Sequence, residues 1–163
     1  MKKILFFILV YIQPILVDAQ IRRTIDGVTL NKTTKQEIVS MFKRNHKSFQ
    51  IKDNGQTVRS SETVTFAGIT WDEVCYVFIN EKVWKIVYLK SGRDNYREFL
   101  SDGYYLKQNL FNKYRKYYIP NSDTDFSDGR THIFFFFITS KDSPGLGIQY
   151  YTDETLPQDF DDL

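Results

Sequence analysis

Cysteine is nearly absent from this 163-residue chain, and Cys75 stands alone. A lone thiol cannot close an internal disulfide, so a domain built from this sequence must be held together by packing. Histidine is almost as scarce. His46 and His132 are far apart, and neither has a second histidine or a cysteine at a metal-ligand spacing, which argues against a zinc site. An excess of one charge is also missing, since 22 Lys and Arg face 20 Asp and Glu. Without a basic face to displace counterions, nucleic acid is excluded as a partner. Catalytic signatures are missing too. The carboxylates are scattered, and Ser143-Pro144-Gly145-Leu146-Gly147 lacks the lysine and helix of a phosphate loop, so it reads as a turn. No catalytic, cofactor-binding or metal-ligating residue is nominated, and no cofactor is expected.

The first nineteen residues have the build of a secretory signal peptide. Lys2 and Lys3 are followed by an apolar run from Ile4 to Ile12, then by Val17-Asp18-Ala19 before an expected cut. The run is broken by Gln13 and Pro14 and is too short to serve as a membrane anchor. Gln20 follows the cut where a lipid-attached terminus would need cysteine. The expectation is export to the periplasm or the medium, without lipid and with no transmembrane segment in the mature chain. Residues 20–152 then form one domain, and residues 153–163 form an acidic tail that is expected to fray.

Aromatic residues are plentiful at 17 %, with 14 Phe and 11 Tyr, which favours a strand-rich core. Val28-Thr29-Leu30 reads as a short edge strand. Thr34-x-x-Glu37 is a capping box, and Ile38, Met41 and Phe42 at helical spacing predict a short helix from Lys35 to about Arg44. Ser48–Lys52 predicts a strand that turns at Asn54-Gly55 in a type I′ hairpin. Strands follow from Gln56, with a break at Ser60-Ser61, then at Val74–Ile79 and Val83–Leu89, giving an antiparallel meander of about four strands. Phe99, Leu100, Gly103, Leu106, Leu110 and Tyr114 mark a longer helix, capped by Asp94 or Asn95 and ending before Pro120. Asn121–Gly129 reads as a polar loop, and Thr131–Thr139 with Leu146–Tyr151 as a closing hairpin. The fold class is α+β: an antiparallel meander sheet packed by one short and one long helix, with a C-terminal hairpin.

Two strands break the usual alternation. Val74–Ile79 and Ile133–Ile138 are apolar on both faces, and Val83–Leu89 has only Lys85 as a polar member. A sheet with one wet face alternates apolar and polar residues. The first reading is therefore central strands covered on both sides. The second is an open sheet face that awaits a protein or an apolar ligand. On the second reading Trp71, Tyr76, Trp84 and Tyr88 are the candidate partner-binding residues, as an aromatic platform. Tyr76 is expected in the core and Trp71, at a strand boundary, is expected to be exposed.

Three further groups carry chemistry in principle. Cys75 lies in an apolar run and reads as a packed core thiol. A Cys75–His132 pair would need the fold to bring the two strands together. Asn121–Gly129 spaces its oxygens like a calcium loop, but Asp128 stands where an EF-hand needs glycine and Phe134 where it needs the bidentate glutamate. Asn31-Lys32-Thr33 matches a glycosylation acceptor.

Leu30-Asn31-Lys32-Thr33-Thr34-Lys35-Gln36-Glu37-Ile38 and Tyr76-x-Phe78-x-Asn80-x-x-Val83-x-x-Ile86 resemble the opening and central hairpin of small exported domains of the beta-lactamase-inhibitor-protein and BamE/SmpA type. The resemblance spans residues 28–90. Lys32 replaces the usual glycine, and the lipid-attachment cysteine of the BamE group is lacking. It implies a non-catalytic protein-binding module of the cell envelope and transfers no functional residue. The expected function is an exported, non-enzymatic domain that binds a protein or envelope component. The alternatives are an immunity or inhibitor protein against an envelope-targeted toxin or enzyme, and a small hydrolase that uses His132 with Cys75 or the aspartate loop.

Overall fold

A computed structural model of the chain describes residues 20–92, 96–122, 124–139 and 144–153. The leader at 1–19, the helix-capping candidates Asp94 and Asn95, most of the closing turn and the tail beyond Asp153 lie outside the described residues. The fold is α+β, as the composition and periodicity predict.

A small hairpin comes first, with β1 (Thr24–Ile25) and β2 (Val28–Thr29) joined through Asp26 and Gly27. Helix α1 (Lys35–Arg44) follows with the predicted bounds. The Thr34 hydroxyl accepts from the Glu37 amide at 3.3 Å while Glu37 Oε2 accepts from the Thr34 amide at 2.7 Å, so both arms of the capping box are made. Strands β3 (Gln50–Lys52) and β4 (Thr57–Ser60) come next, then β5 (Val64–Phe66) and β6 (Ile69–Trp71), β7 (Glu73–Ile79) and β8 (Lys82–Ser91). Helix α2 (Tyr96–Tyr114) runs into a 3-10 turn, and β9 (Asp125–Ser127), β10 (Thr131–Ile138) and β11 (Gly145–Thr152) close the chain.

Seven strands form one antiparallel sheet in the order β3-β4-β7-β8-β11-β10-β9. The meander is interrupted. Strands β5 and β6 leave the sheet and pair with each other through a turn at Ala67 and Gly68, both at positive φ (54° and 78°). The Asp53–Gly55 turn also departs from expectation. Lys52 pairs with Thr57, so four residues connect the strands rather than two, and the left-handed conformation begins at Asp53. The Asn121–Gly129 stretch is not all loop, because β9 pairs there with β10 as an edge strand.

Directly paired residues of an antiparallel sheet share a face. Ile51, Val58, Tyr76, Ile86, Tyr150, Ile133 and Phe126 pair in turn and make one row across all seven strands. A second row runs Ser60, Val74, Tyr88, Ile148, Phe135. These rows are buried except at Ile51 on the edge, which is 53 % exposed. The described helices and hairpins pack on this face. Phe42 of α1 meets Tyr76 edge-on at 6.0 Å, Phe66 of β5 stacks on Tyr88 at 4.5 Å, and α2 sets Phe111 against Phe126 at 5.6 Å and Phe99 against Phe137 at 5.5 Å. Gly103 permits the close approach of α2, since a β-carbon there would stand 2.4 Å from the Phe137 ring.

The core therefore lies between one face of the sheet and a layer of two helices and two hairpins. Trp71 belongs to it. It is 0 % exposed, lies 6.0 Å from Tyr88, and donates its indole N–H to the Phe66 carbonyl at 3.0 Å, so its expected exposure is wrong. A strand-boundary residue is buried here because the β5–β6 hairpin folds back over the sheet. We predict that Trp71→Ala lowers stability by about 3–5 kcal/mol, as a large cavity in a core without disulfides requires, measured by denaturant unfolding.

Candidate functional site

The alternate residues of the same strands make the opposite face. One row runs Lys52, Thr57, Val77, Lys85, Tyr151, His132, Ser127, and the next Gln50, Arg59, Cys75, Val87, Gln149, Phe134, Asp125. Glu73, Leu89, Gly147 and Phe136 form a third. No described helix or hairpin packs on these rows, and most of their side chains are half-buried by each other alone. Of the two readings of the non-alternating strands, coverage on both sides is the one the described residues do not show.

Apolar groups dominate the middle of this open face. Phe134 and Phe136 stack at 5.5 Å, and Phe136 lies across Gly147, where a β-carbon would come within 2.2 Å of the ring. Ile138 continues the strip on β10, and Val87 and Leu89 lie in the same rows on β8. The Phe run of β10 is thus split by the pleat: Phe135 enters the core while Phe134 and Phe136 pave the open face.

Trp84 and Lys85 stand side by side at this face through an irregularity. Val77 pairs with Lys85 but Phe78 pairs with Val83, so Trp84 is the extra residue of a β-bulge. The bulge puts Trp84 beside Lys85, with the Lys85 Nζ 4.4 Å from the indole centroid and Tyr151 at 6.2 Å. Of the four platform candidates, only Trp84 is at this face. Tyr76 and Tyr88, like Trp71, are core residues on the other side. The three were placed with Trp84 because the apolar runs hide which parity faces inward. Phe134 and Phe136 are open-face residues outside the four candidates, and the doubly apolar run of β10 is the sequence signal that marks them.

The polar groups of the face are mostly paired locally. Arg59 ion-pairs with the buried Glu73, which also accepts the Cys75 thiol proton at 3.0 Å. Cys75 is thus half-buried on the open face and is not a core residue. Desolvation, then the Glu73 hydrogen bond, pushes its pKa up to about 12. Cys75 and His132 lie on the same face but three strands apart, about 14 Å at the ~4.8 Å strand spacing, and do not form a pair.

His132 does meet an acid. Its Nε2 hydrogen-bonds Asp153 Oδ2 and lies 3.3 Å from Ser127 Oγ, with the ring stacked on Tyr151 at 4.7 Å. A hydrolytic relay needs the nucleophile and the carboxylate on different ring nitrogens. Here both converge on Nε2, so the cluster ties β9, β10 and the end of β11 together without forming a relay. Two of the described carboxylates of the aspartate loop are engaged in hydrogen bonds. Asp128 accepts from the amides of Ile21, Arg130 and Thr131, and Asp125 accepts from Ser122. Among the described residues no group of three His, Cys, Asp or Glu side chains could hold a metal ion.

On the core side, the turn carboxylate of Asp26 accepts the Tyr88 hydroxyl at 3.0 Å over a cavity of about 300 Å³ that Tyr76 and Lys47 also line. Desolvation raises the Tyr88 and Tyr76 pKa values, and Asp26 adds to both. This contact pins the β1–β2 hairpin to the sheet.

Comparison of the chain with protein-family models, with curated proteins and with solved structures returned no match. We predict that Cys75 reacts slowly with a maleimide at pH 8 despite its partial exposure, because a pKa near 12 leaves about a thousandfold less thiolate than its ordinary 9.0. Glu73→Gln removes a charge that holds the proton on, and the labelling rate should rise.

Proposed function

We propose that this chain is an exported, non-enzymatic α+β module that binds a protein or envelope component through the open face of its sheet. The observation that carries this reading is the apolar strip of Phe134, Phe136, Val87 and Leu89, set in a seven-stranded sheet whose only described cover lies on the other side. Broad apolar surface rimmed by polar groups is the usual mark of an interaction site. Lys52, Arg59 and Asp125 supply that rim, and Gln149 stands between Val87 and Phe134. The leader-like residues 1–19 support export, and the His132 cluster lacks the geometry of a relay. Among the described residues no helix is long and apolar enough to cross a membrane.

A binding strip on a preformed sheet presents rigid rings at little entropic cost, which suits it to partner recognition. Phe134→Arg should therefore reduce retention of envelope proteins by at least about tenfold, since aromatic anchors cost about 2 kcal/mol or more when lost. The melting temperature should move by only a few degrees, because the ring is outside the core. A quantitative pull-down from envelope extract, paired with a thermal melt, checks both. Unchanged retention would refute the assignment of this face.

A further inference from the structure

The open face is nearly symmetric about β11. Gln149 of that strand stands between Val87 on β8 and Phe134 on β10, and Gly147 stands between Leu89 and Phe136. Apolar side chains of β8 and β10 thus flank β11 at matching heights. One row further along, Tyr151 separates Lys85 from His132, whose ring holds the Asp153 carboxylate. At that height the two flanks carry opposite charges.

Gln149 is the polar member of the apolar strip. It is half-buried, and its carboxamide makes no hydrogen bond among the described residues. A carboxamide has both donors and an acceptor, so a cation or an anion alone answers only half of it. Covered by an apolar partner, it would cost free energy as an unsatisfied polar group. A second carboxamide answers both halves, each N–H donating to the other's carbonyl oxygen. A copy of the same chain brings that group to the same place.

Resting on the open-face reading above, we propose that the partner seated on this face is a second copy of the chain, related by a two-fold axis that runs along β11. Rotation about that line lays the face on its like and exchanges β8 with β10. Val87 then meets the second copy's Phe134, Leu89 meets its Phe136, and Gln149 on the axis meets its own counterpart. Lys85 stands opposite the second copy's His132 and Asp153, so the charges there are complementary. The two sheets pack aligned, as in a β-sandwich. Strands β7, β8, β11, β10 and β9 overlap, while β3 and β4 stay outside with Lys52 and Arg59. At a strand spacing of about 4.8 Å and a rise of about 3.4 Å per residue, the overlap measures roughly 24 by 27 Å, about 650 Å² per copy. The two copies together cover about 1,300 Å², just above the lower bound of specific interfaces. An interface of that size suits a reversible dimer.

The test is sedimentation velocity of the full chain from about 1 to about 100 μM, with melting curves as the folding control. A monomer–dimer equilibrium within that range is expected, and Phe134→Arg should leave a monomer throughout. Gln149→Glu and Gln149→Lys each bring like charges together on the axis, so each should weaken the dimer by at least about tenfold. An equimolar mixture of the two variants should restore it, because opposite charges then meet. Only a residue that faces its own counterpart gives that rescue. A chain that is monomeric at every concentration overturns the proposal, as does a dimer that survives Phe134→Arg or Gln149→Glu. Retention of envelope proteins decides the open-face reading separately. If the chain is monomeric and Phe134→Arg still lowers retention, the face stands and the second copy falls. If retention ignores Phe134 as well, the face reading falls with it.

Discussion

The row from Ile51 to Phe126 is the constraint on which the rest of the structure depends. It crosses all seven strands, and each member is fixed by its paired neighbour to the same face. A slip of one residue in any strand would carry that strand's whole inner set to the other side. Hydrophobicity alone does not guard against such a slip here, because β7 and β10 are apolar on both faces. Turns guard against it. Asn80 and Glu81, both at positive φ, connect β7 to β8 in the two-residue geometry that fixes register. The parity of the row is then read out by what packs on it: Phe42, Phe66, Trp71 and Phe111 all find their partners on one face.

The bulge at Trp84 is the point where that parity is broken on purpose. Strict alternation from Val83 would send Trp84 to the open face and Lys85 toward the core. The ladder instead pairs Lys85 with Val77 and Tyr151 on the open face, and Trp84 joins it as the unpaired residue. A lysine beneath the helices would be a buried cation, which is tolerated only when paired. Lys90, on the core side of the same strand, shows the contrast: it lies under α2 and is met by both Glu98 and Asp102. Lys85 has no such partners among the described residues and lies on the open face, half-buried.

Local signals were legible in the sequence, and those set by long-range packing were not. Thr34 and Glu37 specify the start of α1, its bounds agree with the spacing of Ile38 and Phe42, and β7, β8, β10 and β11 fall where their apolar runs lie. The excursion of β5 and β6 was hidden because Val64, Phe66 and Ile69 look like a continuing meander. Only the fold-back over Tyr88 distinguishes them, and it is a contact between residues far apart in the chain. Strand β9 was hidden among turn residues, since Asp125-Phe126-Ser127 has one apolar member and owes its pairing to β10. The candidate site suffered most. The doubly apolar strands were visible, but which half of each run faced the helices was not. Trp71, Tyr76 and Tyr88 were therefore grouped with Trp84, while Phe134 and Phe136 were passed over.

The open face and the missing disulfide follow from one economy of composition. With a single cysteine, this domain must reach stability by burying large rings, and its two helices and small hairpins suffice to cover one face of seven strands. The abundance of Phe and Tyr exceeds what that one core can take up, and β10 shows it directly: Phe135 and Phe137 meet the helical layer, while Phe134 and Phe136 have only the sheet beneath them. Surplus rings outside the core invite association. Glycine at 147 lets Phe136 lie flat across β11, which lowers its exposure and leaves a smooth apolar floor. A floor of this kind gives contact area with little direction. Direction has to come from the polar side chains set among these rings, such as Gln149 between Val87 and Phe134.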